Sequence, residues 1–201
     1  MSEKETEVKF YLSNPARLFA SLERAGAVLV QPRVFEVNLR YDTPKLELSA
    51  GARVLRLRQD TEAHLTYKGP GQIIDDVLTR QEIEFTLSDF TAARHFLEAL
   101  GYEVILTYEK YRQTYAMDDL LITIDEMPYG TFSEIEGLRA AQIQETAARF
   151  GLNWSARINR SYADIFRQLK ADLALPFSDL TFENFSNLVI SPQDMNIVPA
   201  D

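Results

Sequence analysis

Apolar and polar residues alternate with period two over much of this 201-residue chain. Turn residues bound the alternating runs, as in half-buried strands. Strands are predicted near residues 4–12, 33–42, 53–60, 63–69, 79–87, 106–117, 119–126 and 131–137. Between them the period lengthens. Asn14-Pro15 opens a helix that runs to about Ala25 with Gly26 as its stop, and Ser88 is expected to cap a second that ends at Gly101. Two more helical patterns cover about 139–150, ending at Gly151, and 160–173, where Tyr162, Ile165, Phe166 and Leu169 share one stripe. With no repeat or low-complexity run, residues 1–174 read as one domain and 175–201 as a C-terminal extension. The extension carries Pro176, Pro192 and Pro199 among Phe177, Phe182, Phe185, Leu188 and Ile190, and is expected to pack on the domain or on the second subunit of a homodimer.

The second face of each strand is unusual. On the first, Val8, Phe10 and Leu12 form one side while Glu5, Glu7 and Lys9 form the other. The arrangement recurs with Arg56 and Arg58, with Thr66 and Lys68, with Arg80, Glu82 and Glu84, with Lys110 and Arg112, with Thr123 and Asp125, and with Glu134 and Glu136. On an open sheet such residues would be a solvated face whose cross-strand pairs contribute about 0.2–1 kcal/mol each. The helices argue for closure, because amphipathic helices need an apolar sheet surface, and the faces bearing Phe10, Leu55, Leu57, Leu65, Ile83, Phe85 and Ile124 supply one. The ionic faces then turn inward on a sheet that curls on itself. A lumen with that many ions must be wet or hold a highly charged ligand.

Composition narrows the ligand. The chain is 46% hydrophobic and 25% charged, which suits a folded domain. Its net charge of −9 disfavours nucleic acid and anionic membrane partners. With no cysteine and two histidines, any metal must be held by carboxylates. The N-terminal MSEKETEVKF has no apolar signal segment and no window could span a bilayer, so a soluble, cytoplasmic protein is expected. Arginine and lysine clusters suit phosphates, and acid clusters suit hard cations such as Mg²⁺ or Mn²⁺ that bridge carboxylates to phosphates. Together they suit a metal–polyphosphate complex, held without a glycine-rich phosphate loop.

These residues carry a resemblance. The Glu5-x-Glu7-x-Lys9 strand, followed in order by YDTP at 41–44, LRLR at 55–58, LTYKGP at 65–70, RQEIEF at 80–85, KYR at 110–112, ITIDE at 122–126, FSEIEG at 132–137 and SYADIF at 161–166, resembles the CYTH superfamily of triphosphate tunnel metalloenzymes. The likeness covers about residues 3–170 and is greatest to the class IV adenylyl cyclase-like group, a superfamily that includes thiamine triphosphatases. It implies an α+β fold, an eight-stranded antiparallel β-barrel forming a tunnel with a charged interior and helices packed outside. It further implies that Glu5, Glu7, Glu134 and Glu136, with Asp125 as a further candidate, bind Mg²⁺ or Mn²⁺. Lys9, Arg56, Arg58, Lys68, Lys110 and Arg112, with Arg80, would hold the triphosphate of tripolyphosphate, ATP or thiamine triphosphate, and Glu82 and Glu84 would orient these bases, bind a second ion or balance Arg80.

Lys9, with a depressed pKa, and Glu7 are the candidate catalytic groups. Attack by water on the terminal phosphorus would make a triphosphatase; attack by a ribose 3′-hydroxyl on the α-phosphorus would make an adenylyl cyclase. Hydrolysis asks for fewer special contacts. A non-catalytic polyphosphate sensor would gain nothing from the acids. His64, in phase with Lys68, and His95 read as surface histidines, Trp154 as a packing residue and Arg160 as a surface arginine at a helix start. Tyr41–Pro44 reads as a turn, and Ser161 lacks the base that would make it a nucleophile.

Overall fold

The computed structural model describes residues 3–201, with side chains from residue 5 onward; residues 1 and 2 of the expected 1–174 domain lie outside the described residues. Nine strands form one sheet: β1 (Glu3–Leu12), β2 (Val28–Asp42), β3 (Val54–Gln59), β4 (Ala63–Lys68), β5 (Gln72–Ile74), β6 (Val77–Leu87), β7 (Glu103–Met117), β8 (Leu120–Met127) and β9 (Gly130–Glu136). All pairs are antiparallel. The order β1-β9-β8-β7-β2-β3-β4-β6 closes because β6 also pairs with β1, Glu5 facing Arg80 and Glu7 facing Leu78. The ring has the eight strands expected. The short β5 prolongs the edge that β4 presents to β6.

The largest boundary differences are at the starts of β2 and β7. β2 starts at Val28 rather than 33; its pairing with β7 slips around Gln31 and again before Val34, where Pro32 cannot donate to the ladder. β7 starts at Glu103 rather than 106. The helices are α1 (Pro15–Ala25), α2 (Glu47–Ala50), α3 (Phe90–Ala99), α4 (Ala140–Arg149), α5 (Tyr162–Asp172) and α6 (Phe182–Phe185). Gly26 ends α1 at φ 72°, a left-handed conformation that favours glycine. Asp89, not Ser88, caps α3 by accepting from the Ala92 N–H. Ser161 caps α5 and exchanges hydrogen bonds with Asp164 in a reciprocal box, which accounts for that serine without any chemistry.

Helices pack on the outward, apolar face of the ring. Leu18 and Leu22 of α1 and Ile143 and Ala147 of α4 bury Val8, Phe10, Ile122, Ile124 and Ile135, with Trp154 packed beside them. Leu97 of α3 covers Leu39, Tyr41 and Leu57. Helix α5 adds something the sequence did not show. Its stripe of Tyr162, Ile165, Phe166 and Leu169 packs with Tyr11, Tyr108, Met127 and Phe132, which continue the inward face of the strands at one end of the ring. The inward face is thus ionic along most of its length and aromatic where α5 seats.

The extension completes this second core. Leu175, Leu180, Phe185, Met195 and Ile197 are buried against α5 and the strand ends. Leu180 exchanges backbone hydrogen bonds with Thr107 and Glu109 of β7. At the last residues, the Ala200 N–H donates to the Tyr11 carbonyl, and the Asp201 carboxylate accepts from the Ser13 N–H, the Ser13 hydroxyl and the Asn14 N–H at the start of α1.

Candidate active site

The closed ring sets the ionic faces opposite one another. All seven predicted bases lie there, each within 4 Å of a carboxylate. Lys9 Nζ is 2.8 Å from Glu134, and Arg112 bridges Asp125 and Glu134 at 2.5 and 2.6 Å. Lys110 reaches Asp125 at 3.1 Å. On the other wall Lys68 bridges Glu5 and Glu82 at 2.6 and 3.1 Å, and Arg80 reaches Glu5 at 2.7 Å and Glu7 at 3.4 Å. Arg56 and Arg58 meet on Glu84 at 3.2 and 3.4 Å.

Like charges crowd where β1, β6 and β9 meet. Glu7 and Glu136 are register partners. Burial first, then the charges of Glu134 and Glu5, push the Glu7 carboxyl up. Burial together with Glu5 and Glu7 raises Glu136 to about 7, and Glu136 makes no ion pair among the described residues. Glu82 is also raised to about 7 by burial and by Glu5, against the pull of Lys68. Glu5 and Glu82 share Lys68, but Glu5 has Arg80 as well. These two cations overcome its burial and hold Glu5 at about 2, so Glu5 is the ionised member of the pair.

Lys9 corrects an expectation. Burial favours its neutral form, but Glu134, Glu7 and Asp125 outweigh burial and raise its pKa. Lys9 is therefore an ammonium, with its charge over the Tyr162 ring at 4.4 Å, and not a depressed-pKa base. Asp125 is fully buried, and its oxygens take hydrogen bonds from Lys110, Arg112 and the Tyr162 hydroxyl at 2.9 Å.

Several inward residues were missed. Glu36, Asn38 and Arg40 lie on the inward face of β2, opposite outward Val37, Leu39 and Tyr41, in the same period-two phase that marks the other strands. Glu36 is fully buried and 3.5 Å from Lys110; burial opposes its charge, but Lys110, Arg112, Arg58 and Arg56 lower it to about 2. His64 is not a surface histidine: it stands between Asp60 and Glu84 at 3.7 and 3.6 Å with 15% of its side chain exposed. Arg160 is not a free surface arginine either, since its guanidinium donates to the Met195 and Asn196 carbonyls and to Gln168.

Among the described residues no three acids or histidines converge closely enough to hold a metal ion. The donor chemistry of the Glu5, Glu7, Glu82 and Glu136 cluster nevertheless fits a hard divalent cation. All its donors are oxygens, and three of the four carboxyls are raised by burial and neighbouring negative charge. Glu134, Asp125 and Glu5 have both oxygens engaged, by Lys9, Lys110, Arg112 and Tyr162 or by Lys68 and Arg80, so Glu136 and Glu7 are the carboxyls least committed to bases. The buried polar atoms without a hydrogen-bond partner include both Glu36 oxygens, the Asn38 amide, and the Nε atoms of Arg40, Arg56 and Arg58. Arg58 Nε and Glu36 still have ion-pair partners in Asp60 and Lys110, whereas Asn38 and Arg40 have none among the described residues.

A closed antiparallel ring with an ionic interior and helices on its apolar exterior defines a tunnel fold. The CYTH domain model matches residues 3–167, and the chain belongs to that family. It is 27% identical over 135 residues to a Methanocaldococcus jannaschii protein named "Putative adenylate cyclase", covering 66% of this chain and 75% of that one. A Vibrio parahaemolyticus structure of the same designation superposes with a TM-score of 0.75 at 22% identity, covering 83% of this chain and 99% of that one. A Hippeastrum protein described as a "Putative adenylyl cyclase" that reveals a dominant triphosphatase activity shares the fold at a TM-score of 0.60 and 17% identity, over 81% of this chain and 95% of that one. No helix among the described residues is long and apolar enough to cross a membrane.

Proposed function

We propose that the chain is a divalent-metal-dependent triphosphatase that binds a triphosphate inside the tunnel and releases its terminal phosphate. The observation that carries this reading is the make-up of the lumen: a crowded group of carboxylates, Glu5, Glu7, Glu82 and Glu136 on β1, β6 and β9, lies beside seven bases drawn from β1, β3, β4, β6 and β7. Glu7 and Glu136, with Glu5 and Glu82, would hold Mg²⁺ or Mn²⁺, which when bound neutralises phosphate charge and polarises a phosphoryl oxygen. Lys9, Arg56, Arg58, Lys68, Arg80, Lys110 and Arg112 would then exchange carboxylate partners for phosphate oxygens. Their guanidinium forks and ammonium groups keep the chain extended and stabilise charge building on the leaving diphosphate. Water attacks the terminal phosphorus, the bond from that phosphorus to the bridging oxygen breaks, and orthophosphate and a diphosphate leave. Before the triphosphate enters, Asp125 and Glu134 hold Lys110, Arg112 and Lys9 in place, and the Tyr162 hydroxyl donates to Asp125.

Cyclisation is the second reading, supported by the relatives' names, "Putative adenylate cyclase" among them. Both reactions use the same cradle and differ in the attacking oxygen. Incubation with Mg²⁺ or Mn²⁺ and, in parallel, tripolyphosphate, ATP and thiamine triphosphate separates them. Orthophosphate is the expected product; cyclic AMP with pyrophosphate from ATP would replace this assignment with the cyclase. No turnover of any of the three, with no stabilisation by them, would end both.

A further inference from the structure

The seven predicted bases share one property that Arg40 lacks. Each is already held by a carboxylate, so taking a phosphate oxygen means releasing an internal partner and leaving a buried acid uncompensated. Among the described residues Arg40 makes no ion pair, and its Nε is buried without a hydrogen-bond partner. It is partly buried on the inward face of β2, beside Arg56 of β3 in register and close to Tyr108, at the end of the ring where α5 seats. The α5 carboxylate near it, Asp164, is committed to the Ser161 hydroxyl at 2.7 Å and to Arg167 at 2.6 Å. Two residues along the same face, Asn38 is fully buried and its amide nitrogen and oxygen have no partner.

We propose that Arg40, with Asn38 beside it, is a phosphate subsite that binds a polyphosphate without giving up an internal ion pair, and so supplies the metal-independent part of the affinity. The proposal rests on the triphosphate reading above and assigns the tunnel a division of labour. The paired bases engage fully only when a cation takes over the carboxylates they release. Arg40 has nothing to release, so its guanidinium fork is available to phosphate oxygens with or without metal. Burial already disfavours the charge on Arg40 and lowers its pKa, as expected of a cation held ready for an external anion.

The test compares wild type, Arg40→Gln, Arg40→Lys and Arg58→Gln by calorimetric binding of tripolyphosphate and by thermal melting, in EDTA and in Mn²⁺. In EDTA, wild type and Arg58→Gln should bind, while Arg40→Gln should bind at least about tenfold more weakly, the loss of one charge-assisted pair. Arg40→Lys, which keeps the charge but not the fork, should fall between. In Mn²⁺ both glutamine variants should weaken binding. Without ligand, Arg40→Gln should melt no lower than wild type, because it removes an unpaired cation. Undiminished binding by Arg40→Gln in EDTA overturns the proposal, as does a lowered melting point of the free variant with its ligand stabilisation intact. If Arg40→Gln fails to fold, Arg40→Lys decides: binding equal to wild type in EDTA overturns the proposal. If wild type binds tripolyphosphate only with Mn²⁺, the subsite is refuted while the triphosphate reading stands. If wild type binds under neither condition, that reading falls first.

Discussion

Glu136 carries a free-energy cost that Glu5 and Glu36 do not. A carboxyl raised from its ordinary range to about 7 is protonated in the folded chain over an interval where the unfolded chain is ionised. Folding is therefore penalised increasingly as pH rises from about 4.5 to 7, and Glu82 adds a penalty of the same sign. Glu5 and Glu36, held at about 2, act in reverse: their stabilisation is complete above about 4.5 and is lost as pH falls toward 2. Thermal melting in EDTA should thus peak near pH 4.5–5 and decline toward pH 8, and a maximum at pH 8 would contradict the crowding described. Glu136→Gln should raise the melting point at pH 8 in EDTA while losing most of the stabilisation given by Mn²⁺; differential scanning calorimetry with and without the ion measures both. Little of this was legible beforehand. The alternation placed Glu136 on the ionic face, but which acids would pair and which would repel depends on register, Glu7 opposite Glu136 and Glu5 opposite Arg80. Lys9 was misread for the same reason, since burial could be foreseen and Glu134 at 2.8 Å could not.

Among the elements, the strands were the most legible, because period two survives any register and the eight predicted strands are the eight that close the ring. Glu36, Asn38 and Arg40 sit in that same period, and Val37, Leu39 and Tyr41 between them were the available signal. They were passed over because they lack the repeated charges of the neighbouring strands. The seat of α5 was beyond reach: a helical stripe shows that Ile165, Phe166 and Leu169 are buried but not against which surface. That seat rests on apolar packing, with Ile165 and Leu169 fully buried. Leu169→Ala should cost about 2–5 kcal/mol in urea unfolding. Arg160 ties α5's approach to the extension, so Arg160→Ala should speed hydrogen exchange in residues 192–200 while leaving the amides of β1 and β9 protected.

Taken as one body, the chain has three apolar cores around an ionic lumen. The first lies under α1 and α4; the second lies between α5, the extension and one end of the ring; a smaller third lies under α3. Because residues after 174 contribute Leu175, Leu180, Phe185, Met195 and Ile197 to the second core, truncation at 174 should expose Tyr11, Tyr108 and Phe132 and leave a protein that aggregates or binds hydrophobic dye. A truncated chain that stays monodisperse with an unchanged melting point would show the extension to be dispensable.

Closure of the ring also orders events in time. The strand bearing Glu5, Glu7 and Lys9 is made first, yet its two neighbours are β6 and β9, whose register partners extend to Glu136. During synthesis that strand must keep an unpaired edge until most of the chain has emerged, and such distant pairing slows folding. The acids and bases of the lumen are therefore brought together by the last joint to form, which spares the growing chain a half-built charged cavity and makes nascent chains ending before β9 the ones most in need of a chaperone.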